Sequence, residues 1–163
     1  MDKTNYKLIK NFLPEKQLKD ITKTNSFLSS SWFDYPPPYE YQRSILEEAS
    51  SFVDLSTAIG VEEWFHNPYF HNLPGEHYDK DEKLFAATGE VIFPICSCIL
   101  YIKVDNLVGA DLHLIEEDIS ITPTSNTLIL MKPGVYHRVT EYVSGIRSSV
   151  YLNPWDRELF SGC

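Results

Sequence analysis

The chain has 163 residues, 43% of them hydrophobic and 13% aromatic, a length that holds one domain with a real core but not two comfortable ones. Its formal charge of −9 would repel a phosphate backbone unless a local basic stripe overcame that field, and no such stripe stands in the sequence, so nucleic acid is excluded as an expected partner. No apolar run approaches the roughly 20 residues needed to cross a bilayer, and the opening Met1-Asp2-Lys3-Thr4-Asn5 is unlike a secretory signal, so no membrane partner and a cytoplasmic location are expected.

In chain order, the first sixty residues read as helical and the last hundred as strands. Pro14 followed by Glu15 fits the first turn of a helix, and Leu18 and Ile21 give it an apolar face through about Thr24. Tyr35-Pro36-Pro37-Pro38-Tyr39 must run extended, because each ring fixes φ and restricts the residue before it. A rigid connector is its default reading, with docking in a proline-binding groove the minority one. Ile45, Ala49, Phe52 and Val53 fall at helical spacing and mark a second helix, which Gly60 can close. Short apolar runs follow at 61–66, 77–79, 91–104, 111–115, 126–131, 137–143 and 146–152. Turn signals such as Pro74-Gly75, Asp105-Asn106, Pro133-Gly134 and Ser144-Gly145 part them. That rhythm predicts an antiparallel sandwich or barrel with the early helices on one outer face. The expected organisation is one domain: helical support and connector over 1–60, a β core over 61–155 and a tail over 156–163.

The run at 95–103 divides by alternation into two faces. Ser97, Ile99 and Tyr101 form one row, and Cys96, Cys98, Leu100 and Ile102 form the other. The wholly apolar row suits packing under the helices, which leaves Tyr101 pointing inward, where its hydroxyl needs a partner. Cys96, Cys98 and Cys163 are an odd number with no second pair for a zinc site. Neither disulfide nor zinc is implied, and the thiols are expected to be small buried hydrophobes.

The chemistry concentrates in His77-Tyr78-Asp79 and His137. Two imidazoles and one carboxylate are the protein half of a facial iron(II) site with open positions, the geometry of non-haem oxygenases. Residues two apart on a strand share a face, so His77 and Asp79 can reach one metal while Tyr78 points away. By the same rule Arg147 and Ser149 share a face, and the guanidinium offers a planar fork for the distal carboxylate of a dicarboxylic acid.

Five segments in order carry a family likeness: His77-Tyr78-Asp79-Lys80-Asp81-Glu82, Cys98-Ile99-Leu100-Tyr101-Ile102, Gly109-Ala110-Asp111-Leu112, Lys132-Pro133-Gly134 ahead of His137, and Gly145-Ile146-Arg147-Ser148-Ser149. Together they resemble the iron(II)- and 2-oxoglutarate-dependent dioxygenases, and within them the small prolyl-4-hydroxylase-like group. The resemblance implies a mainly β (α+β) fold, a double-stranded β-helix or jelly-roll, with N-terminal helices packed on one outer face. It implies His77, Asp79 and His137 as metal ligands and Arg147 as the salt-bridge partner of 2-oxoglutarate. Tyr101 and Ser149 stand where the family places hydroxyls that bind the same carboxylate. Fe(II) would be the cofactor, with 2-oxoglutarate and O2 as cosubstrates. The implied reaction is hydroxylation of a peptidyl side chain, proline being one case, or of a small metabolite, with release of succinate and carbon dioxide. Gly109-Ala110 replaces a frequent glycine pair, and Lys103 replaces a frequent asparagine; both departures lie nearer the substrate mouth than the metal. Asp79 argues against the related halogenases, which carry a small residue in place of the carboxylate.

Plainer roles are expected for the neighbours of these residues. His66 and His71 read as loop residues near the entrance, His113 as an outward polar residue on a half-buried strand, and Asp81 and Glu82 as solvated. Trp64, Phe65, Tyr69 and Phe70 either join the core or wall the substrate entrance. Two other functions stay open. A cupin-like barrel enzyme that uses no keto acid has no need of an inward arginine at this spacing. A non-catalytic jelly-roll binding module has no reason to carry three iron ligands.

Overall fold

Nine strands and three helices make up the computed structural model, which describes residues 4–23, 30–66 and 75–162. In chain order they are β1 (Tyr6–Lys10), α1 (Glu15–Lys23), β2 (Ser31–Asp34), α2 (Glu40–Ser50), β3 (Gly60–His66), α3 (Glu82–Thr88), β4 (Ser97–Gly109), β5 (Leu112–Leu114), β6 (Ile119–Ile121), β7 (Thr127–Met131), β8 (His137–Val139) and β9 (Tyr142–Trp155). Six strands form one antiparallel sheet in the order β1-β7-β4-β9-β3-β2, and three form a second in the order β6-β5-β8. This is the mainly β double-stranded arrangement expected from the sequence.

Alternation along β4 assigns its two faces as its residue pattern predicts. Cys98, Leu100 and Ile102, with Cys96 just ahead of the strand, join a core with Ile21 of α1 and Tyr41, Ile45, Leu46 and Ala49 of α2. Ile99 and Tyr101 turn the other way, into a second core shared with Leu112 and Leu114 of β5, Ile121 of β6 and Ile129 and Met131 of β7. The helices therefore cover the outer face of the large sheet, and the space between the two sheets is left for the site. Cys96 and Cys98 are free, buried thiols; Cys163 lies outside the described residues.

Several local readings are corrected. The first sixty residues contain two strands as well as helices: β1 extends the large sheet beside β7, and β2 pairs with β3. Neither is long enough to show a clear period, and each is fixed by its partner strand. Helix α2 stops at Ser50, well before Gly60. Asp54 accepts a hydrogen bond from the Ser56 N–H at 2.9 Å, a local turn that competes with further helix, while Phe52 and Val53 still pack on the core. Residues 77–79 form no strand, only a bridge from His77 to His137, and 91–96 precede β4 rather than belong to it. Helix α3 and strand β6 are additional. Asp105-Asn106 and Ser144-Gly145 are not turns but irregularities facing each other within the β4–β9 ladder. Gly145 takes φ +96, and a Cβ there would run into the Asn106 carbonyl, so glycine serves a close backbone approach.

Candidate metal centre

His77 and His137 are brought together by their own backbones. Each donates its N–H to the other's carbonyl, at 2.9 and 3.0 Å, which sets the rings 4.4 Å apart between centroids. The Nδ1 of His77 lies 2.7 Å from the Gly75 carbonyl and the Nδ1 of His137 lies 2.9 Å from the Val135 carbonyl. Because a carbonyl only accepts, Nδ1 carries the proton in the neutral ring and Nε2 keeps its lone pair for a metal. Asp79 completes the group, with Oδ1 3.4 Å from His77 Nε2 and 3.6 Å from His137 Nε2. One ligand atom from each residue falls within 4.8 Å of the others. Ligands each about 2.1 Å from a shared ion lie roughly 3–3.5 Å apart, so the donor set and its spacing fit a divalent metal.

The electrostatics favour that state at Asp79 and His137 and oppose it at His77. Burial works to raise the Asp79 pKa, but hydrogen bonds from His77 and Ser97 and the charge of His137 hold it below the ordinary carboxylate value. Burial lowers the His137 pKa, which favours the neutral imidazole a metal needs. Burial also pulls His77 down, yet its bonds to Asp79 and Gly75 outweigh that and raise it.

A second cluster lies on the inner faces of β4 and β9. Tyr101 stands directly opposite Ser149 in the ladder, and the Arg147 guanidinium carbon lies 5.3 Å from the Tyr101 ring centroid. Arg147 is 2% exposed and Tyr101 and Ser149 are fully buried. Arg147 Nη2 donates to the Tyr151 hydroxyl at 2.9 Å. Among the described residues, its Nε and Nη1, the Tyr101 hydroxyl and Ser149 Oγ make no hydrogen bond of ordinary geometry. Burial pushes the Tyr101 phenol above its ordinary pKa, so the hydroxyl remains a neutral donor. A buried guanidinium with unmatched N–H groups is costly unless an anion arrives, and two adjacent hydroxyls suit the same anion.

A cleft of about 670 Å³ adjoins the trio, lined by His77, Asp79, Glu62, Trp64, Asn153 and the tail at Leu159 and Phe160. The aromatic cluster divides: Trp64 lines the cleft and stacks on Tyr151, with centroids 5.1 Å apart and planes 3° from parallel, whereas Phe65 packs into the helix-covered core. Tyr69, Phe70 and His71 lie outside the described residues. His66 is not in a loop; it ends β3 opposite Ser149. His113 is half-buried on β5, with Nδ1 3.0 Å from Ser120 Oγ. Asp81 is corrected from solvated to structural. Only 4% exposed, it caps α3 through the Leu84 N–H at 3.1 Å and takes the Phe160 N–H of the tail at 2.7 Å. Glu82 is exposed, as expected.

Tyr151 and Glu62 were not singled out from the sequence. Tyr151 shares the β9 face of Arg147 and Ser149, a signal that period-two reading contains. Glu62 and Glu63 are adjacent identical residues, and only the sheet's position decides which faces inward.

No family model matches the chain, and no curated protein matches it. Solved structures do. A Pseudomonas putida prolyl-4-hydroxylase aligns at 14% identity over 95% of this chain and 87% of its own, with a TM-score of 0.67. A 2OG-Fe(II) oxygenase family protein from Burkholderia pseudomallei aligns at 10% identity over 96% and 87%, with a TM-score of 0.61. NgTET1 in complex with 5mC DNA aligns at 11% identity over 91% and 71%, with a TM-score of 0.54. At such identities the likeness is one of fold, and this chain has the fold shared by the prolyl-4-hydroxylase and 2OG-Fe(II) oxygenase structures.

Proposed function

We propose that the protein is a non-haem Fe(II)- and 2-oxoglutarate-dependent dioxygenase that hydroxylates a peptidyl side chain or a small metabolite and releases succinate and carbon dioxide. The observation that carries this reading is the pairing of two incomplete sites: a His–Asp–His trio within 4.8 Å and a buried Arg147 with unmatched N–H groups. His77, Asp79 and His137 would hold Fe(II), which when bound supplies oxygen activation and the oxidising power. Arg147 binds the distal carboxylate of 2-oxoglutarate, with the hydroxyls of Tyr101 and Ser149 donating to the same group. Tyr151 holds one guanidinium nitrogen and so aims the others. The cleft beside His77 and Asp79 admits the substrate, with Trp64 as part of its wall.

The unmatched Arg147 weighs against a cupin-like enzyme without a keto acid, and the trio weighs against a non-catalytic jelly roll. Among the described residues no helix is long and apolar enough to cross a membrane. A cytoplasmic location belongs to the same reading and is checked by cell fractionation.

Fe(II) and 2-oxoglutarate added anaerobically should give the weak visible charge-transfer band of a metal-chelated keto acid, and admitting oxygen should yield succinate. Absence of both the band and calorimetric binding would remove the basis of the proposal.

A further inference from the structure

The cleft beside the trio is lined by five carboxylates, Glu62, Glu76, Asp79, Asp81 and Glu82, against two lysines, Lys80 and Lys83. Most of these charges already have work. Asp79 faces the two imidazoles, Asp81 accepts two backbone N–H groups, and Glu82 pairs with Lys80 at 3.2 Å. Glu76 and Lys83 are exposed at the rim. Glu62 differs from all of them. It is half-buried on the inner face of β3, opposite Asn153, and no cation pairs with it among the described residues. Burial raises its pKa to about 7, the Trp155 indole opposes that, and the carboxylates of Asp79, Asp81 and Glu82 add to it. A carboxylate kept from water without a counter-charge costs free energy that an arriving cation offsets.

Trp64 stands two residues along the same strand and lines the same cleft, held flat by its stack on Tyr151. An indole attracts a cation through its ring face, and a neighbouring carboxylate strengthens that preference. The wall thus joins one carboxylate without a counter-charge among the described residues to one rigid aromatic surface, within a cleft that also contains His77 and Asp79. The −9 charge of the whole chain favours the approach of a positive partner in the same sense.

We propose that Glu62 is the specificity-determining residue of the substrate cleft and that, with Trp64, it takes a basic side chain, a protonated amine or guanidinium, on a peptide. The inference rests on the dioxygenase reading for the meaning of "substrate" but not for its test, which measures binding without turnover.

The test uses acetylated, amidated peptides of sequence Gly-Gly-X-Gly-Gly, with X lysine, arginine, glutamine or proline. They are titrated calorimetrically into the full chain with Zn(II), a metal without redox chemistry, and 2-oxoglutarate. The lysine or arginine peptide should bind at least about tenfold more tightly than the glutamine and proline peptides, as expected of a charge-assisted contact. Raising the salt concentration should shrink that ratio, a check on the parent alone should Glu62→Gln not fold. In folded Glu62→Gln the ratio should fall to about one, an outcome that loss of structure would not give selectively. The proposal is overturned if the parent binds the glutamine or proline peptide as tightly as the basic ones, if Glu62→Gln keeps the preference, or if none of the four binds measurably. A chain that shows the preference but never forms succinate would instead count against the dioxygenase reading.

Discussion

Arg147 and His137 share the space between the sheets but are assigned different partners, so their loss should be separable. Arg147→Ala removes a charge-assisted contact worth about 1.5–3 kcal/mol. It should bind iron nearly as the parent does and need at least about tenfold more 2-oxoglutarate, since each 1.4 kcal/mol is about tenfold. His137→Ala should weaken iron binding itself, and keto-acid chelation with it. Iron and 2-oxoglutarate affinities measured separately on both folded variants decide the assignment. An Arg147→Ala protein that loses iron but keeps its 2-oxoglutarate affinity would sink it, as would a His137→Ala protein that holds iron as tightly as the parent. At this scale period two made Tyr101, Arg147 and Ser149 legible, because each lies on a strand that sorts its side chains by face, whereas His77 and Asp79 meet His137 without a strand between them and were legible only as chemistry-bearing residue types. The fit of Nδ1 to the Gly75 and Val135 carbonyls was not legible, since it depends on backbone geometry around each ring.

Strand β3 and helix α2 are tied by a buried carboxylate. The Tyr41 hydroxyl and Gln42 Nε2 both donate to Glu63 Oε2, at 2.8 and 2.9 Å, while Gln42 Oε1 also accepts the Tyr39 N–H at 3.2 Å. Burial raises the Glu63 pKa, against the lowering effect of those two donors. A carboxyl whose folded pKa lies above its unfolded one holds its proton more firmly when folded. Its contribution to stability is therefore complete below the unfolded pKa, near 4.5, and is lost as pH rises through the folded pKa. Glu63→Gln keeps an acceptor for Tyr41 and Gln42 and removes the titration. Its stability relative to the parent should improve as pH is raised from about 4.5 to 8. Urea unfolding of both proteins across that range checks this, and a constant difference between them would refute it. The longest apolar elements were readable in advance because they repeat a period several times. The strands β1, β2 and β6 and the His77 bridge were not, because pairing with a distant partner supplies what their few residues lack.

For the whole molecule, charge is the property that bears on nucleic acid. NgTET1, which shares the fold, was solved with 5mC DNA. The −9 charge and the acidic cleft are the ground for expecting no nucleic-acid partner. Duplex 5mC DNA should leave succinate formation unstimulated at moderate salt, where a binding protein would rely on Lys and Arg contacts to phosphate. A large DNA-dependent rise in turnover would overturn this reading.

The sequence by itself determined what depends on local order. The alternation of Cys98, Leu100 and Ile102 with Ile99 and Tyr101 fixed which face of β4 meets the helices, because neighbouring side chains on a strand point oppositely whatever they pack against. Tertiary structure decided what depends on a partner far along the chain. It turned Ser144-Gly145 from a turn into an irregularity by setting it against Asn106. It sent Glu62 to the cleft and Glu63 to the helix, and it buried Asp81 under the C-terminal tail. Identical or adjacent residues take opposite roles here because burial and pairing belong to the assembled sheets, and no local pattern encodes them.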